Sequence, residues 1–518
     1  MRRMLISIQI FILFLLLILL NKYLWVEEKL TLFLLPILFV GVVTIPVSLV
    51  IRIFRKINYK RLLIVTFGIT SVLQVVMCLF VIWSVHPASF SKEQICTDID
   101  NSIALMEDIH PDLYASIEKD KLAAVIDSIK TQMPAIVSDV GACKIFGQIA
   151  SQIKDGHTGL AIDNFIKRGS ILFRKVPPYS FRIMDDKIYL LKNFYKRKNI
   201  PIGSEILTIN NKPASQCIDE ISRLISYETI SFRNAWLQLP INWGVWNDFQ
   251  DFKIAYKTPD NRIENITTSS GLFANIAYLW DLTAGFGSQK YNFEILDGDI
   301  GYINLKAFEN LDKFKIFLKS TFHEIKQNDI NHLIIDIRNN GGGSSSVSEE
   351  LMQYISPVEY TTFDTSLLKI SNYLIAKYSM DTTKYVRGSL YSEKRDKIPI
   401  RDNPLHFNGT CYILTSGYCF STSLDFPAMV RYYNAGLIVG SETGGRTVSF
   451  GSPATVTLPE TGIILKVSRK KFVNVGGAKS DRGLIPDHVV VNSIMDDING
   501  VDSVFDSTIS LIRERYMN

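Results

Sequence analysis

Leu333-Ile334-Ile335-Asp336-Ile337-Arg338-Asn339-Asn340-Gly341-Gly342-Gly343 is an apolar run that ends in polar residues and three glycines, ahead of a helix-like Ser346–Tyr354. Such a run suits a strand buried on both faces, as in a parallel sheet covered by helices. The pattern recurs from Tyr291 onward. Ile300–Leu305, Tyr412–Thr415 and Leu437–Val439 read as short strands, with helical patterns at Leu311–Gln327 and Thr422–Tyr433 between them. The alternation predicts βαβ units and a mostly parallel sheet.

Upstream, the patterns change. Ser231–Lys290 holds Trp236, Trp243 and Trp246 and an alternating Phe252–Tyr256, and reads as a connector with strands. From about Ile171 to Tyr227, Lys187–Leu191 alternates like a strand, Ile200–Pro213 reads as turn, strand and hairpin turn, and Ser215–Ile225 is an amphipathic helix. Ser91–Lys154 is helical, with Ile103, Met106, Ile109 and Leu113 at three- and four-residue spacing. It ends at the turn Asp155-Gly156-His157-Thr158.

Hydrophobic residues make up 47 % of the 518, and many lie at the N-terminus. Leu5–Leu20, Leu30–Val50 and Leu62–Trp83 are apolar runs near the length of about 20 residues that a bilayer-crossing helix needs. The second loop carries Arg52, Arg55, Lys56, Lys60 and Arg61. The excess of positive charge places that loop and the N-terminus in the cytoplasm, and everything after Trp83 outside it. The expectation is a multi-pass protein of a bacterial inner (plasma) membrane, with its large C-terminal part facing the periplasm or the outside.

The net charge of +5 owes much to these flanking residues. No Lys/Arg cluster interleaves with aromatics, so nucleic acid is not an expected partner. Cys78 lies in a span. Cys96, Cys143, Cys217, Cys411 and Cys419 are odd in number and lack metal-type spacing.

The chemistry sits at turns. Glycines after Leu333–Ile337 let backbone N–H groups face a reacting oxygen, and the Gly-Lys-Ser/Thr ending of a phosphate loop is absent. Leu414-Thr415-Ser416-Gly417-Tyr418-Cys419-Phe420-Ser421-Thr422-Ser423 carries serines across a strand–helix junction, where the free N–H groups of a helix start stabilise negative charge. His157 lies outside any periodic apolar face and suits a general base. His86, His110, His323, His332, His406 and His488 read as structural.

In this order the pieces resemble the C-terminal-processing or tail-specific protease family of serine peptidases. The resemblance rests on Asp155–Thr158, Ile300–Leu305, Asp336–Gly343, Phe420-Ser421-Thr422-Ser423, Val439–Gly445 and Gly483-Leu484-Ile485-Pro486-Asp487. It covers about Ser91 to Val491. Ile200–Pro213 also resembles the Gly-Asp-x-Ile-x-x-Ile-Asn-Gly stretch of PDZ-like domains. The implied organisation is three transmembrane helices at 1–85, a helical part at 86–165, a PDZ-like β-rich domain at 166–230, a connector at 231–295, and an α/β (ClpP/crotonase-like) catalytic core at 296–518.

The resemblance implies Ser421 as nucleophile, a polypeptide substrate and no cofactor or metal. Arg446 stands where the Ser/Lys members keep a lysine base. Arginine stays protonated and cannot act as a base, so the chain is more similar to the histidine-using, tricorn-core-like branch, with His157 as base. Gly342 or Gly343 and Thr422 would supply the oxyanion amides. That branch has a glutamate where this chain has Ser480, so Asp481 and Glu442 are the candidate orienting acids. Two departures stand out: Pro427 interrupts the helix after Ser421, and Gly156 precedes the histidine where the tricorn core has serine. The expected activity is membrane-anchored endopeptidase action on exported polypeptides. The alternative is a catalytically inactive peptide-binding sensor or scaffold; a crotonase-like thioester enzyme shares the fold but not the histidine turn.

Overall fold

A computed structural model describes residues 89–161, 176–194, 199–248, 250–268, 290–296, 298–393 and 396–517. The three expected membrane spans, with all of 1–85, lie outside these residues. Among the described residues no helix is long and apolar enough to cross a membrane.

The first layer is helical. Strand β1 (Ser89–Ser91) leads into α1 (Lys92–Ile109), where Ser91 Oγ accepts from Gln94 N and Gln94 Oε1 accepts from Ser91 N, a reciprocal N-terminal cap. Then come α2 (Lys119–Gln132), β2 (Ile136–Ser138), which pairs antiparallel with β1, α3 (Asp139–Ser151) and the short β3 (Gly159–Leu160). The apolar faces of α1 and α3, including Ile95, Ile99, Met106, Phe146 and Ile149, pack against Ala454, Val456, Leu458, Ile463, Leu465 and Val467. The expected unit at 86–165 therefore does not stand alone. Its helices are amphipathic, and the surface that covers them comes from the far end of the chain.

The second unit is an antiparallel sheet. It contains β4 (Tyr179–Met184), β5 (Lys187–Asn193), β6 (Glu205–Ile209), the short β7 (Lys212–Pro213), helices α4 (Ala214–Ser222), α5 (Ile230–Trp236) and α6 (Pro240–Trp246), then β8 (Phe252–Lys257) and β9 (Ile263–Thr268). The strand order is β4-β5-β6-β8-β9, with β7 on β6. Trp243, Phe252, Ile254 and Tyr256 share one core with Tyr179, Phe181, Ile206 and Ile221. This corrects the expected boundary at 230/231: β8 hydrogen-bonds to β6, so the supposed connector completes the sheet.

The third unit is the predicted core. Strand β10 (Tyr291–Ile295) is an antiparallel edge beside β11 (Ile300–Leu305), after which α7 (Leu311–Gln327) leads to β12 (His332–Asp336) and α8 (Ser345–Ile355). An excursion follows through β13 (Phe363–Lys369), α9 (Asn372–Tyr378) and β14 (Leu390–Ser392). The chain returns as β15 (Thr410–Thr415), α10 (Thr422–Tyr432) and β16 (Leu437–Gly440). Strands β17 (Val448–Gly451), β18 (Ala454–Thr457), β19 (Ile464–Val467), β20 (Lys470–Asn474) and β21 (His488–Val489) precede α11 (Ile494–Asn499) and α12 (Ser503–Met517).

Strands β11, β12, β15, β16 and β21 are parallel neighbours in that order. On β12, Leu333 and Ile335 face a core with α7, α8 and α10, while Ile334 faces the opposite core under α12. Both faces are covered, which is why the strand reads as a continuous apolar run. Pro427 lies inside α10, but the helix continues to Tyr432. The missing N–H costs one ladder bond near the start of the helix, and Phe426 and Met429 stay fully buried.

Asp98 on α1 binds the helical layer to the hairpin of β18 and β19. Its buried carboxylate accepts from Glu460 N (3.2 Å), Thr461 N (2.7 Å) and Thr461 Oγ1 (2.7 Å). Asp98→Ala leaves these donors unpaired, and a loss of about 3 kcal/mol is expected in denaturant unfolding.

Candidate active site

Ser421 sits where β15 gives way to α10. It is the N-cap residue, with φ 58° and ψ −131°, a backbone conformation that L-residues rarely adopt. Such a turn lifts the serine out of the strand and leaves it half-buried at the helix start. The preceding loop is fastened to the glycine turn: Ser416 Oγ donates to Arg338 O (2.5 Å) and Cys419 Sγ to Ile337 O (3.1 Å). Arg338 in turn pairs with Asp336 and with Asp502 just before α12, and Tyr302 Oη donates to Asp336.

The glycine turn abuts the serine. Gly342 has φ 110°, and a Cβ there would lie 2.6 Å from Phe420 O and 2.8 Å from Ser421 Cβ. Only glycine permits this approach. Gly342 N, however, donates to the buried Asn340 Oδ1 (2.9 Å), so this expected oxyanion donor is already used. Gly343 and Thr422 remain. Thr422 Oγ1 donates to Gly343 O (2.9 Å), which holds the two residues together, and Thr422 N is an orphan amide of the helix start.

His157 lies on the turn between α3 and β3, organised by the fully buried Asp155. The Asp155 carboxylate accepts from His157 N (2.9 Å) and Thr158 Oγ1 (2.5 Å), and His110 Nε2 lies 3.2 Å away. His110 Nδ1 accepts from Asp112 N, so its Nε2 carries the proton given to Asp155. Burial alone would raise the Asp155 pKa; His110, first by its hydrogen bond, holds it well below the usual carboxylate range. His157 Nδ1 is 3.9 Å from Asp155 Oδ1. Burial lowers the His157 pKa against the pull of Asp155, and Lys466 adds to the lowering. The ring packs on Phe420, with centroids 4.5 Å apart. Gly156 has its reason here: a Cβ would fall 2.6 Å from Phe420 Cζ.

Ser421, Thr422, Gly343 and His157 line one cavity of about 380 Å³, together with Asp425 and Lys470. Burial pushes the Asp425 carboxyl up to about 7, while Asn474 Nδ2 donates to it. The two expected orienting acids do not line this cavity. Glu442 is held by Arg482 and accepts from Gly483 N (2.7 Å), and Asp481 is exposed. Asp481 sits beside the closing turn, and Glu442, on the turn after β16, is bonded to it.

A carboxyl group absent from the sequence expectations lies near the histidine. Glu228 is buried and accepts from Gly156 N (3.3 Å) and Arg446 N (3.0 Å), and Arg446 Nη2 donates to the Glu228 carbonyl. Burial, then the charge of Asp155, pushes its pKa up to about 8. Asp155, His157 and Glu228 each bring a ligand-type atom within 4.8 Å of the others. The Asp155 and Glu228 oxygens of this trio already serve the hydrogen bonds above. Arg446, expected only as an excluded base, has a place in this arrangement.

Gly156→Ala pushes on the Phe420 ring, which touches His157 and directly precedes Ser421. At least a tenfold fall in kcat/KM is expected with the fold intact by circular dichroism, in line with the cost of small misplacements at a reacting centre.

Comparison with known proteins finds a family for part of the chain. Residues 299–490 match Peptidase family S41. In three dimensions the chain is similar to mature CPAF complexed with lactacystin, at 14 % identity and TM-score 0.58, over 82 % of this chain and 98 % of that one. Mature CPAF gives 15 % identity and TM-score 0.55, over 78 % and 94 %. A weaker likeness, TM-score 0.41 at 13 % identity over 77 % and 93 %, is to the photosystem II D1 C-terminal processing protease. These likenesses concern the fold. Residues 299–490 thus form a Peptidase family S41 domain, and the activity this supports is that of a serine-type peptidase.

Proposed function

We propose that the protein is a membrane-anchored serine endopeptidase that hydrolyses exported polypeptides, with Ser421 as nucleophile and His157 as general base, in the manner of the histidine-using branch. The observation that carries this reading is the shared cavity: Ser421, held at positive φ on a helix start, opens onto the same space as His157, Gly343 and Thr422.

In the proposed chemistry the neutral His157 imidazole takes the Ser421 proton as Oγ attacks the peptide carbonyl. The carbonyl oxygen becomes an oxyanion facing the amides of Gly343 and Thr422. The imidazolium then gives its proton to the leaving amine, and water releases the acyl-enzyme by the reverse sequence. Gly342 contributes by its lack of a side chain. Asp155 contributes as a fixed negative charge near the imidazolium, not as a group that changes its protonation.

Membrane anchoring rests on the three apolar runs and on the charge of their loops, and the exported substrate class follows from that topology. The small antiparallel sheet that ends in β4 and β9 is what we read as the PDZ-like element. No observation favours the non-catalytic alternative.

Labelling with a serine-directed fluorophosphonate tests the assignment. Wild type should label, Ser421→Ala should not, and His157→Ala should label about a thousandfold more slowly. Label retained in Ser421→Ala would overturn the nucleophile.

The pH profile is a second test. The base must be neutral to act, and burial lowers its pKa from 6.5. Activity should therefore rise with pH through a midpoint below 6.5 and already be on its plateau at neutrality. A midpoint above 6.5 would contradict the lowered pKa of His157.

A further inference from the structure

We propose that Glu228 is a positioning residue for His157, clamping the histidine turn to the Thr443–Arg446 turn and presenting its carboxyl group to the imidazole. The inference rests on the serine–histidine reading above.

The clamp is made by a short loop at the end of the antiparallel sheet unit. Ser226 Oγ donates to Asp155 O (2.8 Å), Glu228 receives the amides of Gly156 and Arg446 on its two oxygens, and Thr229 Oγ1 donates to Gly444 O (2.8 Å). Three neighbouring side chains thus hold two turns that are far apart in sequence. A surface acid would not need this burial, and a packing residue would not need two acceptors. Both requirements are met by a carboxyl group whose remaining proton or charge faces Asp155 and His157.

The surrounding groups fix the sign of its pH dependence. Asp155 faces it from the histidine turn with His110 behind, Arg446 faces it from the other turn, and Lys466 on β19 acts on His157. Below pH about 8 the Glu228 carboxyl is neutral and sits beside the Asp155 charge without repulsion. Above it, two carboxylates meet in a buried space and the clamp loosens, so His157 is held less well.

The test uses the full chain and reads the rate at which a fluorophosphonate labels Ser421, from pH 5 to 10. Wild type should show an alkaline decline with a midpoint near about 8. Glu228→Gln keeps the shape but offers one acceptor to two amides, so it should label more slowly than wild type at pH 7 and lack that decline; Glu228→Ala should label at least about tenfold more slowly. The proposal fails if Glu228→Ala labels at the wild-type rate, or if Glu228→Gln keeps the alkaline decline. The Gln variant decides the matter even if the Ala variant does not fold. If label is lost from wild type, or persists in Ser421→Ala, the nucleophile assignment falls first and takes this inference with it.

Discussion

One buried carboxylate organises the site. Asp155 has no contact with solvent, yet it receives the backbone of His157, the hydroxyl of Thr158 and the ring of His110. A carboxylate in such a place is costly unless its lone pairs are filled by donors of good geometry, and here they are. The reach extends further. Thr158 Oγ1 accepts from Ser468 N, just past β19, and Lys369 Nζ caps the carbonyls of Glu107 and His110. The helical layer, the hairpin of β18 and β19, and the excursion through β13 all converge on the turn that carries His157. Removing this charge would disturb three pieces of the molecule together.

The serine side is held by different means. A strained backbone and close main-chain packing hold Ser421. The strain at φ 58° is sustained because the loop before it is bonded to the glycine turn and the helix after it is buried on the core sheet. Phe420 joins the two sides. Its ring touches His157 and Phe232, and its carbonyl lies against Gly342. One aromatic residue therefore relates the position of His157 to that of Ser421.

Much of this was readable in the sequence because it is local. The parallel core announced itself through β12, whose apolar run reflects burial on both faces, and through helices whose limits agree with their periodicity to within a residue. The serine junction, the glycine turn and the histidine turn are short motifs with their chemistry inside them. Contacts between distant segments were not readable. The amphipathic faces of α1 and α3 say that something covers them, but not that Ala454–Val467 does. Nor does the pattern around Trp243 reveal that β8 joins β6. Glu228 was missed for the same reason: its partners are 72 and 218 residues away, and Tyr227-Glu228-Thr229 has no periodicity to mark it. The one available signal was an acid next to a capping threonine at a helix start. Asp481 is suggested by its place before the closing glycine, and Glu442 by its place in the Val439–Gly445 turn, but Arg482 and Gly483 N take up the Glu442 carboxylate and Asp481 is exposed.

The hairpin of β18 and β19 also bears on how the enzyme is made. Strand β3, directly after His157, pairs with β19, and Asp98 bonds to Thr461 across 363 residues. During synthesis Ser421 and the glycine turn emerge before the strand that braces the His157 turn. Closing so long a loop carries an entropic cost that only the complete hairpin can offset. A nascent chain ending short of this hairpin would hold Ser421 but leave the His157 turn without its strand partner.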